Sequence, residues 1–241
     1  MTLEAPMTGF APSLPLLHRP PNLGWRHQTN LAARPTCEQQ APSAQENSAM
    51  VAAAASFVLT KAASAYTKGG RRPGGSTVTT ALRELEREQR RNKTKSDIDL
   101  LYGQWRLVFT ADEKTKNPLL KAVYFPVRAQ QTFIPGDKDV GVFDNGIFFF
   151  GSTAFFRFRG PARWQPKMNR LEFTVDELEV KIGSFRWKKA GLDKEGPTLE
   201  GRTAKTLPFF TFFSIRKDIL AARGRSGGLA LYARVPDDER L

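Results

Sequence analysis

The side chains best suited to nucleophilic, general-base or soft-metal chemistry are confined to the start of the chain. Cys37, His18 and His27 are its only cysteine and histidines. From Glu38 to Leu241 a Ser-His or Cys-His nucleophile, a histidine base and a zinc or haem site with cysteine or histidine ligands are therefore excluded. Carboxylates remain: Glu177 and Glu179 in "VDELEVKI", and Asp137 and Asp139 in "PGDKDV". The first pair alternates with Leu178 and Val180, which puts both acids on one strand face, as on a solvated surface rather than in an acid/base pair. A non-enzymatic protein is expected, with no catalytic residue, no metal and no cofactor. A single cysteine also excludes an internal disulfide.

What the chain has in excess is positive charge and phenylalanine. The formal net charge is +13, and 18 Phe stand against 4 Tyr and 4 Trp. Phe brings apolar area without a polar handle, which favours a greasy interior over a polar recognition surface. Two stretches, "RFRGPARWQPKMNR" and "SFRWKKAGLDK", interleave cations with aromatic rings. That pattern suits stacking on single-stranded nucleic acid and equally suits anionic lipid headgroups.

Elements must position these groups, and the first 70 residues look unlike the rest. They hold few acids, Glu4, Glu38 and Glu46, among many Ser, Thr, Ala and Pro and small-residue runs such as "MVAAAAS". This is the composition of an organelle transit peptide, chloroplast rather than mitochondrial because Arg is sparse and the early part is Pro-rich; an ordinary disordered tail is the alternative. Residues 1–70 are thus expected to be a removable leader. Within it "AMVAAAASFVLT" is apolar for 12 residues before Lys61, short of the roughly 20 a bilayer span needs. With Ala63-Ser64-Ala65 after it, a second export signal is a weaker reading.

The Gly- and Arg-rich run from Gly69 to Gly75 marks a boundary, after which Ser76 can cap a helix carrying Val78, Leu82 and Leu85 on one face. "LLKAVYF" and "IRKDILAA" are weaker helical candidates. From Leu101 the apolar period becomes two: Trp105, Leu107 and Phe109; Leu171, Phe173 and Val175; Leu178, Val180 and Ile182; Leu229, Leu231, Ala233 and Val235. Turn signals separate the runs at Pro135-Gly136-Asp137, Asp144-Asn145-Gly146, Gly160-Pro161, Gln165-Pro166, Glu195-Gly196-Pro197 and Arg225-Ser226-Gly227-Gly228. The expected fold is mainly β, an antiparallel barrel with an N-terminal helix packed on it. In "NGIFFFGSTAFFRFRG" and "LPFFTFFSI" neighbouring Phe residues must point to opposite faces. Some therefore face outward, toward a helix, a membrane, a partner or a ligand.

With Gly103-Gln104-Trp105 opening the first strand, and Asp218, Leu220, Arg223-Gly224 and Gly227 or Gly228 followed by "LALYARV" at the end, residues 76–236 resemble the plastid lipid-associated proteins, or fibrillins. The Ser usual after the opening Thr is Ala111, and the helical region is short, so the subfamily stays open. The resemblance implies a lipocalin-like barrel in the plastid, at thylakoids or plastoglobules, holding or organising carotenoids, quinones or other lipids. Expected partners are a hydrophobic small molecule or lipid and a peripheral membrane or lipid-droplet surface. Nucleic-acid binding is the second hypothesis.

Two sets of site residues follow from the residues themselves. Gly103 permits a close approach and Trp105 is a large inward plug, so this strand closes one end of the barrel, with a cation stacked on the indole. Arg223, next to Gly224, is the first candidate for that cation and Arg234 the second. Inward ligand-lining candidates are Leu107, Phe109, Phe148, Phe150, Phe173, Val180, Ile182 and Leu231, with Trp105 and Val175 beside them; all would be core residues even without a ligand.

Overall fold

The structure, a computed structural model, describes residues 43–112, 114–115, 121–136, 140–196, 198–202, 206–236 and 239. Cys37, His18, His27, Asp137 and Asp139, and most of the expected leader, lie outside them. Described are two helices, α1 (Ala44–Thr67) and α2 (Gly75–Asn92). The strands are β1 (Gly103–Ala111), β2 (Ala122–Tyr124), β3 (Arg128–Ile134), β4 (Val140–Phe149), β5 (Ala154–Gln165), β6 (Arg170–Phe173), β7 (Glu177–Ile182), β8 (Phe185–Lys189), β9 (Phe209–Ile215), β10 (Ile219–Gly224) and β11 (Leu229–Arg234).

Eight strands close an antiparallel barrel in the order β1, β3, β4, β5, β6, β9, β10, β11, each pairing with the next and the last with the first. The remaining three are excursions. Strand β2 covers the end of β1, and the β7–β8 hairpin pairs with the first half of β5, leaving β6 to pair with its second half. Gly160-Pro161, expected as a turn, lies within β5 where its partner changes from β7 to β6. A Cβ at Gly160 would strike the Thr174 carbonyl, so the glycine admits the crossing chain. Asp144-Asn145-Gly146 is likewise no turn but the middle of β4, paired on both sides. There Asp144 meets Arg157 of β5 in an ion pair of 2.7 Å, and a Cβ at Gly146 would fall 2.5 Å from the Phe148 ring. "IRKDILAA" forms the β9–β10 turn and β10, not a helix.

Two apolar clusters hold the fold. The barrel interior is filled by rings, with Trp105 and Phe212 completely buried and Phe143 and Phe173 centred 4.1 Å apart. The void among Leu101, Phe133, Gly141, Trp164 and Leu171 measures about 10 Å³, room for one water at most. The second cluster lies outside the barrel, where α1 and α2 cover Val108, Phe109, Phe213, Ile219, Ala221 and Leu231. A β-bulge between Leu107 and Phe109 sorts the residues of β1 between the two. Trp105 and Leu107 face inward, while Phe109 turns outward under the helices.

The leader boundary expected near residue 70 therefore cuts through packed structure. Helix α1 begins with a capping box: the Ser43 hydroxyl accepts from the Glu46 amide at 3.2 Å, and the Glu46 carboxylate accepts from the Ser43 amide at 2.7 Å. Its small inner residues, Ala55, Ala62 and Ala63, let Leu59 reach full burial. By length and composition α1 could also cross a bilayer, contrary to the expectation from its 12-residue apolar run. Helix α2 starts one residue before Ser76, capped by Gly74 without a side-chain bond, and lays Val78 and Leu82 on the barrel.

Candidate functional site

The face that lines the barrel interior continues past the barrel's end on β4, β5, β7 and β8, because opposed residues of an antiparallel sheet share a face. Three cross-strand rows build it. Asn145, Phe158, Leu178 and Lys189 form the first; Ile147, Phe156, Val180 and Trp187 the second; Phe149, Ala154, Ile182 and Phe185 the third. With β6 and β9 no longer alongside, this apron is open to solvent. Ile182 and Phe185 are each 61% exposed, Trp187 43% and Phe156 41%. At the β4–β5 hairpin tip Phe150 is 91% exposed and adopts φ 52°. A bulky residue in the left-handed region costs about 1 kcal/mol against Gly or Asn, and here no burial offsets it. Strand β8 is the sheet edge and is exposed at every residue, with Phe185 and Trp187 on the apron face and Arg186 and Lys188 on the other, where both reach Glu179.

No protein-family model and no curated protein matches this chain. The likeness to plastid lipid-associated proteins thus rests on the residues at its two ends quoted above.

Closure of the other end is built on the Gly103-Gln104-Trp105 opening, and the cation is Arg234 rather than Arg223. The Arg234 guanidinium carbon lies 3.9 Å from the Trp105 ring centroid. Its nitrogens donate to the carbonyls of Tyr102 at 3.0 Å, Lys217 at 2.7 Å and Leu100, and the indole N–H donates to the Leu101 carbonyl at 2.7 Å. Gly103 has φ 117°, and a Cβ there would fall 2.8 Å from the Arg234 guanidinium. Arg223 instead leaves the barrel wall to grip Glu86 of α2, at 2.7 and 2.5 Å, next to Gly224 at the end of β10. It cannot also cover Trp105. Register explains the exchange: Arg234 is the direct partner of Trp105 across β1 and β11, whereas Arg223 pairs with Leu229.

The expected ligand-lining residues do not converge. Leu107 and Phe173 face the filled interior, Phe109 and Leu231 oppose each other beneath the helices, Phe148 lies on the outer wall against Phe155, and Phe150 stands in solvent; only Val180 and Ile182 belong to the apron. An internal chamber shared by all eight is ruled out by that placement. Sequence reasoning omitted Phe185 and Trp187 from the site, although "SFRWKK" shows the alternation of ring and cation that places them on the apron. Among the described residues no group of three or more acids could hold a metal ion, and the apron itself offers apolar area and cations rather than a nucleophile. Within the barrel, burial holds the Tyr232 phenol well above its usual range, so it stays neutral beside Gln131.

The Arg223–Glu86 clamp has a pH signature. Burial opposes ionisation of Glu86, but Arg223 and Arg90 outweigh it and hold the carboxylate below its usual value. A depressed carboxylate stabilises the fold above its unfolded-state value and loses that contribution as pH falls through the folded one. The half-buried pair is worth about 1 kcal/mol or less. Glu86→Gln is therefore expected to lower the urea midpoint slightly at neutral pH, with the gap to the parent closing in acid. A gap independent of pH would assign the effect to packing.

Proposed function

We propose that this is a non-catalytic protein that attaches to a lipid surface through the apron and the Phe150 tip, organising hydrophobic molecules there; plastid thylakoids or plastoglobules are the surface suggested by the leader composition and the fibrillin resemblance. The observation that carries the reading is the run of exposed rings and aliphatics on one face, Phe156, Ile182, Phe185 and Trp187, with Phe150 exposed at the adjoining hairpin tip. Contiguous exposed apolar area rimmed by charge marks an interaction site. Lys189 on the same face and Lys181 beside the tip, within a chain of net charge +13, favour an anionic surface over a neutral partner. Filled as it is, the barrel supports a surface binder rather than a carrier with its cargo enclosed.

Phe150→Asn separates attachment from folding. Asn tolerates the left-handed backbone, so stability should hold or rise by up to about 1 kcal/mol. Vesicle binding should fall roughly tenfold or more, since burying a Phe in an apolar phase contributes about 1.5–3 kcal/mol. Co-sedimentation with anionic vesicles, in low and high salt, makes the measurement. High salt alone should release the parent protein in part, and salt with mild detergent fully. Undiminished vesicle binding by the variant, or binding to RNA with none to vesicles, would overturn the reading.

A further inference from the structure

A pocket of about 400 Å³ opens where the end of α2 meets the β5–β6 turn and β9, and it gathers cations. We propose that it binds the phosphate group of a small phosphorylated molecule. Six basic side chains, Arg90, Lys93, Lys95, Lys167, Arg170 and Arg223, line it against one carboxylate, Glu86. Glu86 is engaged by Arg223 and Arg90, and the carbonyl end of α2 contributes about half a negative charge more. Pairing inside the pocket therefore leaves most of the positive charge unanswered.

The walls are fixed without a ligand. Asn169, buried with φ 46°, donates from its amide to the Thr94 carbonyl at 2.9 Å and accepts from the Ser96 amide at 3.0 Å. That ties the segment bearing Lys93 and Lys95 to the turn bearing Lys167. Arg170 lies over the Phe209 ring at 4.2 Å with its Nε buried and unpartnered, which holds the guanidinium in place before an anion arrives. Met168, 45% exposed, adds apolar lining for the rest of such a molecule. The volume suits a ligand of nucleotide or headgroup size rather than a strand. The pocket does not depend on the lipid-surface reading: it sits at the end of β5 opposite the Phe150 hairpin, roughly 35 Å away at about 3.3 Å per residue.

Pyrophosphate titrated into the full chain by calorimetry at fixed ionic strength tests the proposal. The double variant Lys93→Gln/Lys167→Gln should weaken binding about tenfold or more, because charge-assisted contacts are lost, while Lys61→Gln/Lys194→Gln, at exposed positions outside both the pocket and the apron, should leave it unchanged. Equal losses in both double variants would reduce the effect to net charge and overturn the site, as would the absence of saturable binding. Competition then identifies the source. Vesicles of phosphatidylcholine doped with phosphatidate that displace pyrophosphate from the parent, and from Phe150→Asn alike, assign the pocket to a lipid headgroup; a soluble phosphate monoester that competes while these vesicles do not assigns it to a free metabolite. Single-stranded RNA that competes with the same lysine dependence, when neither of these does, would replace the small-molecule ligand and overturn the proposal.

Discussion

A chain that begins at residue 71 is expected not to fold cooperatively, whereas one that begins at Ser43 should. This reverses the sequence expectation that the first 70 residues are removable, and the reason is the outer cluster. Val108, Phe109, Ile219, Ala221 and Leu231 are almost completely buried although they point away from the barrel interior. Helix α1 packs on β1, β10 and β11 and brings Leu59, itself completely buried, onto that surface. Each large apolar side chain returned to water costs about 1.5–3 kcal/mol. Even partial uncovering of four or five of them amounts to 5 kcal/mol or more, on the order of the entire stability of an ordinary domain. The truncation also removes Tyr66, which stacks on Tyr124 at 6.2 Å and donates to the Phe125 carbonyl at 2.6 Å. Circular dichroism with urea titration of both chains decides the matter: equal midpoints would mean that α1 is dispensable.

Trp105→Ala is the second large effect, about 3–5 kcal/mol for loss of a fully buried aromatic. Arg234→Ala should approach it, because three carbonyls, of Leu100, Tyr102 and Lys217, lose a charged donor at once. The two changes should not add. Removing the indole strips the cation of its platform, so the double-mutant cycle should return a coupling of about 1 kcal/mol or more. Gln104→Ala, one residue away on the outer wall, is the control with little effect. Arg223→Ala should lie near the control, since Arg223 holds α2 and not the plug. If Arg223→Ala matched Trp105→Ala and Arg234→Ala did not, the closure described here would be wrong.

The alternation of apolar residues was enough to reach an antiparallel barrel with a helix on it, since period two survives in β6, β7 and β11 and in the first half of β1. What escaped did so for local reasons. A bulge is invisible to periodicity, so Phe109 was grouped with Trp105 although one residue's slip carries it to the other face. Asp144-Asn145-Gly146 and Gly160-Pro161 have turn composition, yet in the fold they answer to a cross-strand ion pair, a ring seated over a glycine and a strand changing partners. Composition also hid α1: Ser43-Ala44-Gln45-Glu46 ahead of an apolar run is a helix-start signature, overshadowed by the acid-poor stretch around it. For the site, the ring and cation alternation of "SFRWKK" was visible, but only the register of β7 with β8 shows that its rings join Phe156 and Ile182 on one surface.

Closing the barrel by pairing its first strand with its last has a consequence for how the protein comes into being. Trp105 meets Arg234 across about 130 residues of intervening chain, and α1 rests on β10 and β11, which come after every other described strand in the chain. Until the final hairpin emerges, α1 has α2 and β1 beside it but lacks its seat on β10 and β11, and the outer edge of β1 is unpaired. Such non-local closure is slow and leaves apolar surface waiting. During that interval the apolar face of α1 that β10 and β11 later cover stays open, and only the arrival of β11 closes it.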